Sequence, residues 1–239
     1  MKSSHLNFRK AIIFENEDYI LVNKPPFLST LEDRNEPQNL LLLARAYEPN
    51  AQVCHRLDKD TSGILAIARH PEAYRDLSIQ FENRKVSKVY HAIVDGIHAF
   101  ENEEVKAPIL KQSDGTVKMD RKGKSALTTF NSLQPYKFHT LVQCEPLTGR
   151  MHQIRLHLTS LGAPITGDTI YGGKPFYLSS VKRGFNLKKN SDEEPLIKRM
   201  ALHAHKLTFS GLKGEKIETT APYPKDFSAM MKQLSSNVR

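Results

Sequence analysis

The run Gly63-Ile-Leu-Ala-Ile-Ala68 constrains the fold most. Six residues without a charged or polar side chain read as a mostly buried strand, because a strand with one wet face alternates. Immediately before it, His55-Arg-Leu-Asp-Lys-Asp-Thr-Ser62 gathers two carboxylates, two cations, an imidazole and two hydroxyls. A polar cluster leading into a core strand is where a rigid scaffold usually carries a functional site. Asp60, Thr61 and Ser62 are ordinary turn formers, and Thr61 to Gly63 are read as shaping the loop. Asp58 follows apolar Leu57 close to the buried strand, and is the candidate for chemistry.

Other segments fill in the class. Ala11 to Glu15 and Tyr19 to Asn23, joined by polar Asn16-Glu17-Asp18, read as a β-hairpin. Lys24-Pro25-Pro26 then stops the strand. Helices are expected over Gln38 to Tyr47, Pro71 to Asn83 and Gly149 to Leu161. Strands are expected over Val89 to Val94, Ser125 to Phe130, Phe138 to Cys144 and Leu202 to Phe209. Strands and helices do not alternate strictly, which favours an α+β fold with a mixed, largely antiparallel sheet flanked by helices. Two polar segments, Lys111 to Lys124 and the charged Lys174 to Lys198, read as surface insertions. The second is either a solvated loop or an arm that touches phosphates.

The chain has 239 residues and a net charge of +9, from 35 Lys+Arg against 26 Asp+Glu. That is enough length for one large domain or two closely packed subdomains. The basic excess points to a polyanionic partner, of which nucleic acid is the first choice. The two cysteines, Cys54 and Cys144, define neither a disulfide framework nor a zinc site. Neighbouring side chains of extended backbone point apart, so Cys54 and His55 make a poor nucleophile–base pair. No apolar run approaches the roughly 18 residues of a membrane span, and residues 1–10 carry no signal-peptide core. The expectation is a cytoplasmic protein without a membrane.

A second constellation runs from Thr148 through Gly-Arg-Met-His-Gln-Ile-Arg-Leu-His157 to Leu158. On a helix, Met151, Ile154, Leu158 and Leu161 form one apolar stripe, and Arg155 lies on or beside it. A guanidinium facing the interior needs a carboxylate, and Asp58 is the candidate. The alternative is that Arg155 snorkels to water past its apolar stem. Arg150, Gln153 and His157 follow a neighbouring line that suits phosphate or base contacts. In the strand from Lys88 to Val94, Tyr90 is either a core residue with its hydroxyl at the rim or a ring that stacks on a nucleobase. His203 and His205 share a strand face, but no third ligand at a diagnostic spacing supports a metal.

Together these residues resemble the RluA family of pseudouridine synthases. The family's His-Arg-Leu-Asp-X-X-Thr-Ser-Gly motif is matched at His55 to Gly63, and its Lys-X-Tyr-X-Ala-X-Val strand at Lys88 to Val94. Its Thr-Gly-Arg-X-His-Gln-Ile-Arg-X-His helix is matched at Thr148 to His157. Shorter matches are Asn23-Lys24-Pro25, Gly167-Asp168 with Tyr171-Gly172-Gly173, and Leu202-His203-Ala204. The resemblance spans about Ala11 to Phe227. It implies a bent sheet with a central cleft and a reaction that turns uridine into pseudouridine in ribosomal or transfer RNA stem-loops. It assigns catalysis to Asp58, Tyr90 and Arg155, with Arg155 pairing with the aspartate. Arg56 would help extrude the target nucleotide. RNA and substrate contacts would also come from His55, Lys24, Arg150, His152, Gln153 and Leu202, the last as a wall of the uracil pocket. A carboxylate suits the chemistry as nucleophile or base beside a developing sugar cation. No cofactor or metal is implied, and a monomer is expected.

The chain departs from the family pattern at Phe27, where a glycine is common. Only about ten residues precede the first strand, so no separate N-terminal RNA-binding module is expected and target choice falls to the catalytic domain. Two other readings compete: a non-catalytic RNA-binding or RNA-folding protein on the same scaffold, and a glycosidase that releases free base.

Overall fold

The computed structural model describes residues 7–32, 37–182, 184–187 and 192–237. Contacts divide them into two compact units, the described residues up to Lys88 with Ala204–Pro222, and Val89–His203 with those from Tyr223 onward. The architecture is α+β with a mostly antiparallel sheet.

The first unit holds α1 (Phe8–Ala11), β1 (Ile12–Glu15), β2 (Tyr19–Lys24), α2 (Leu40–Tyr47), β3 (Gln52–Val53), β4 (Ser62–Ala68), α3 (Pro71–Glu82), and β12 (Lys216–Thr220) beside the main part of β11 (Leu202–Ser210). The predicted hairpin forms, with β1 antiparallel to β2 and β2 to β4. All seven residues of β4 are buried, so the absence of alternation in the sequence has its physical cause. Helix α2 starts later than expected, because the Asn39 side chain caps it by accepting from Leu42 N at 2.9 Å. Pro71 opens α3 at a position where a missing N–H costs nothing. Gln80 then ties α3 to β11, donating to Ser210 O at 2.7 Å and accepting from Ser210 N at 3.0 Å.

The second unit holds most of β5 (Ser87–Asp95), then β6 (Glu103–Lys106), β7 (Ile109–Lys111), β8 (Val117–Met119), β9 (Leu127–Pro135), β10 (His139–Pro146), α4 (Gln153–Ser160) and α5 (Lys225–Ser236). Its sheet runs β5-β10-β9-β6, antiparallel throughout. Ala92, Val94, Phe130, Ile154, Leu158 and Phe227 share its main core.

Three expectations need correction here. Helix α4 begins at Gln153 and not Gly149, because His152 sits in the left-handed region at φ 52°, where a helix cannot propagate. Lys111 to Lys124 is not a structureless insertion. It carries most of the β7–β8 hairpin, which packs Ile109 and Val117 against Ala126 and Leu156. The Lys174 to Lys198 stretch is not wholly a surface loop either, since Phe176, Val181 and Ile197 are buried in the core. Arg183, Lys188 and Lys189 of that stretch lie outside the described residues.

Gly63, at the mouth of β4, shows how closely the first unit is packed. Its φ is +116°, and a Cβ there would meet the Ala204 carbonyl oxygen at 2.2 Å. Both the backbone angle and the contact exclude a side chain. Gly63→Ala should therefore cost at least about 2 kcal/mol and lower the melting temperature by roughly 4–8 °C. Calorimetry of the variant against the parent checks this.

Candidate active site

The loop that carries Asp58 is fixed by side chains from elsewhere in the first unit. Thr30 Oγ1 donates to Leu57 O at 2.9 Å and accepts from Leu57 N at 3.2 Å, so both main-chain groups of Leu57 are held by one hydroxyl. On the other side of Asp58, the fully buried Lys24 donates from Nζ to Lys59 O at 3.0 Å. The same ammonium donates to Pro25 O at 3.0 Å and Leu28 O at 2.9 Å. Three carbonyls thus use the three donors of one ammonium. Thr61 N closes the turn onto Asp58 O at 3.0 Å. Asp58 is the residue between two clamps, and it is only half-buried.

His55 belongs to the same framework. Its Nε2 accepts from Ala66 N at 3.0 Å, and its ring packs on Phe81 with centroids 4.7 Å apart. A ring nitrogen that accepts is unprotonated, so His55 is neutral with its proton on Nδ1. Burial, assisted by the Lys88 charge, pulls its pKa down to about 3. Burial also lowers Lys88 to about 8. Cys54 is pushed up to about 12 by burial, which keeps its thiol protonated and poorly nucleophilic. Arg56 and Lys59 are exposed on either side of Asp58.

The second unit presents a different framework around Arg155. Every residue from Gln153 to Leu158 is buried, so this part of α4 has no wet face and each polar side chain on it needs a partner. Arg155 Nε donates to Asp168 Oδ2 at 2.6 Å and Nη2 to Asp168 Oδ1 at 2.8 Å, with both residues buried. The Arg155 Cζ also lies 4.7 Å from the centroid of the Tyr171 ring, and Tyr171 Oη shares a 2.8 Å hydrogen bond with His152 Nδ1. The carboxylate that burial demands is therefore present within this unit as Asp168. In the sequence Asp168 stands out only as part of the Gly167-Asp168 motif.

Two expected RNA contacts are consumed inside the protein. Gln153 Oε1 accepts from Thr148 Oγ1 at 2.7 Å and Arg150 N at 2.9 Å, while Nε2 donates to Leu127 O and Thr128 Oγ1, both at 2.9 Å. An amide has two acceptor and two donor positions, and all four are used. His157 is fully buried between Thr128 Oγ1 at 2.9 Å and Ala107 O at 3.0 Å. The line expected for Arg150, Gln153 and His157 does not form on one helix face, because Arg150 precedes α4 and Gln153 and His157 are both buried. Arg150 itself donates from Nε to Ser125 O at 3.1 Å. Lys24, expected at the substrate, is fully buried and donates to three carbonyls of its own unit.

Tyr90 is half-buried on β5 against the main core. Leu202 is buried in that core, and its carbonyl accepts from Arg199 Nη1 at 3.1 Å. Arg199 is in turn fixed by Asp226 of α5, with Nε to Oδ2 at 2.8 Å and Nη2 to Oδ1 at 3.1 Å. No group of three His, Cys, Asp or Glu side chains among the described residues could hold a metal ion. No helix among them is long and apolar enough to cross a membrane.

A family model described as RNA pseudouridylate synthase matches residues 18–160, a span that holds the clamped Asp58 loop, Tyr90 and Arg155. The chain belongs to that family. It is 36% identical to the ribosomal large subunit pseudouridine synthase C of Buchnera aphidicola, over 98% of this chain and 75% of the relative. It is 32% identical to the ribosomal large subunit pseudouridine synthase D of Zymomonas mobilis, over 93% of this chain and 72% of the relative. The fold matches human RNA pseudouridylate synthase domain containing 4 with a TM-score of 0.71 at 22% identity, covering 95% of this chain and 94% of that one. The RluA-family resemblance read from the motifs stands, and the activity is that of an RNA pseudouridine synthase, an isomerase.

The neutral His55 makes a prediction about acid. A histidine whose folded pKa is depressed contributes stability above its ordinary pKa near 6.5, and that stability is lost as pH falls from there toward about 3. Urea midpoints measured across this window should fall as the solution is acidified. His55→Asn should have a shallower slope over the same range.

Proposed function

We propose that this synthase isomerises a uridine of large-subunit ribosomal RNA, with Asp58 as the reacting carboxylate. The observation that carries the assignment is the double clamp. Thr30 and Lys24 fix the main chain on either side of Asp58 and leave its side chain partly open to solvent. A reacting group held in place ahead of binding is worth a large share of a rate enhancement. The choice of ribosomal over transfer RNA rests on the names of the relatives, two of which are large-subunit enzymes.

In the reaction the N1–C1′ bond of uridine breaks, the base turns, and C5 bonds to C1′. The C5 proton is lost and N1 gains one, so the product is an isomer and no redox partner enters. The carboxylate of Asp58 serves as nucleophile or as base in this sequence. Arg155 supplies a permanent positive charge, and Asp168 and Tyr171 preset its guanidinium. Tyr90 packs on the uracil and relays a proton. Arg56 is exposed and able to meet a phosphate or fill the space of an extruded nucleotide, Leu202 walls the uracil, and Arg150 and His152 contact the RNA. The protein acts as a monomer in the cytoplasm, and the two units work as one catalytic domain.

Asp58→Asn is the test. It preserves shape and removes the charge. Incubated with total RNA from a strain lacking the gene, the parent should create a carbodiimide-dependent stop at a defined uridine of the large-subunit RNA. The variant should create none while melting at the parent's temperature. Undiminished conversion by Asp58→Asn rules out the role given to Asp58, and a new stop only in transfer RNA rules out the substrate.

A further inference from the structure

Phe27 is held in a conformation that suits glycine. Its φ is 63°, in the left-handed region where a side chain is strained. Core burial does not compensate, because the ring is 51% exposed. The strain is also not a sign of looseness. Pro25 and Pro26 restrict the chain before it, Lys24 Nζ holds Pro25 O and Leu28 O on either side of it, and Ser29 O and Thr30 O accept from Leu40 N and Leu41 N at the start of α2. A large apolar ring is thus presented to solvent on a rigid turn.

The position of that turn gives the ring a use. Leu28 O and Lys59 O share one ammonium, so the two oxygens lie within about 6 Å of each other at ordinary hydrogen-bond lengths. Thr30 binds Leu57 on the same pair of segments. Phe27 and Asp58 each stand one residue from these junctions, so the ring and the candidate reacting carboxylate belong to one braced assembly. Exposed Arg56 and Lys59 flank that carboxylate and favour a polyanion. An enzyme that lifts a uridine out of its stack leaves neighbouring bases without a stacking partner, and an exposed ring can supply one.

We propose that Phe27 is a stacking platform for an unpaired base of the substrate RNA next to the target uridine. The inference rests on Asp58 as the reacting group, and its test is read separately. Phe27 contributes to holding the RNA and takes no part in the bond changes. Its loss should therefore move the RNA concentration needed for half-saturation and not the turnover at saturation.

The protein contains no tryptophan, so Phe27→Trp introduces a single indole at the platform, excited selectively at wavelengths where tyrosine does not absorb. The probe is total RNA from a strain lacking the gene, which contains the target whichever RNA carries it. Parent, Phe27→Gly and Phe27→Trp are compared by pseudouridine formed against RNA concentration. Phe27→Gly should raise the half-saturating concentration by about tenfold, as expected when a base loses an aromatic platform. Its saturated rate and melting temperature should stay near the parent's, because glycine suits the backbone angle. Phe27→Trp should keep the parent's half-saturation, and its fluorescence lifetime should shorten as RNA binds. An unchanged half-saturation in Phe27→Gly, or a tryptophan lifetime unmoved by bound RNA, overturns the proposal. Parent and Asp58→Asn reactions run beside them report on the reacting group alone.

Discussion

The buried ammonium of Lys24 is the interaction on which the first unit's site depends. It joins the end of β2, the turn through Phe27 and the loop at Lys59. A fully buried charge is tolerable only when its donors are satisfied, and here three carbonyls satisfy them. The arrangement is cooperative: the three segments must all be in place for the ammonium to be solvated by protein. Thr30 adds a neutral clamp on the other side.

The second unit solves a parallel problem with the opposite partner. Arg155 is also buried, and its charge is met by the Asp168 carboxylate in two-point geometry. Two hydrogen bonds from a planar fork fix orientation as well as position. Asp168 itself sits in a tight turn. A Cβ on neighbouring Gly167 would meet Arg199 O at 2.4 Å, and one on Gly173 would meet Ile165 O at 1.8 Å. The glycines of that motif are therefore required by packing, so that the carboxylate can reach the guanidinium.

Much of this was legible in the sequence, for reasons that differ by element. The run Gly63 to Ala68 announced a mostly buried strand because it carries no polar side chain to face water. The motif at His55 to Gly63 placed the candidate carboxylate next to it. The β1–β2 hairpin and α3 followed from period and punctuation. What failed was the assumption that polar residues on a helix face outward. Gln153 and His157 look like surface contacts until α4 proves to be buried all round, and then their hydrogen bonds to Thr128 become visible. His55 and Lys24 show likewise that a chargeable side chain in a functional motif can serve the scaffold. The β7–β8 hairpin went unseen because its strands are three residues long, too short for a period to show. Asp168 was quoted as part of a motif, and only three-dimensional packing could connect it to Arg155.

The central claim is that Lys24 holds the Asp58 loop and does not hold RNA. Lys24→Met, which keeps length and removes the donors, separates the two in steady-state kinetics on large-subunit ribosomal RNA at several salt concentrations. If the ammonium positions the loop, kcat should fall by about 100-fold, the usual consequence of a misplaced reacting group, while KM and its salt dependence stay near the parent's. An intact kcat with a raised KM, and a salt slope shallower by about one, is the signature of a lost phosphate contact and would contradict the account.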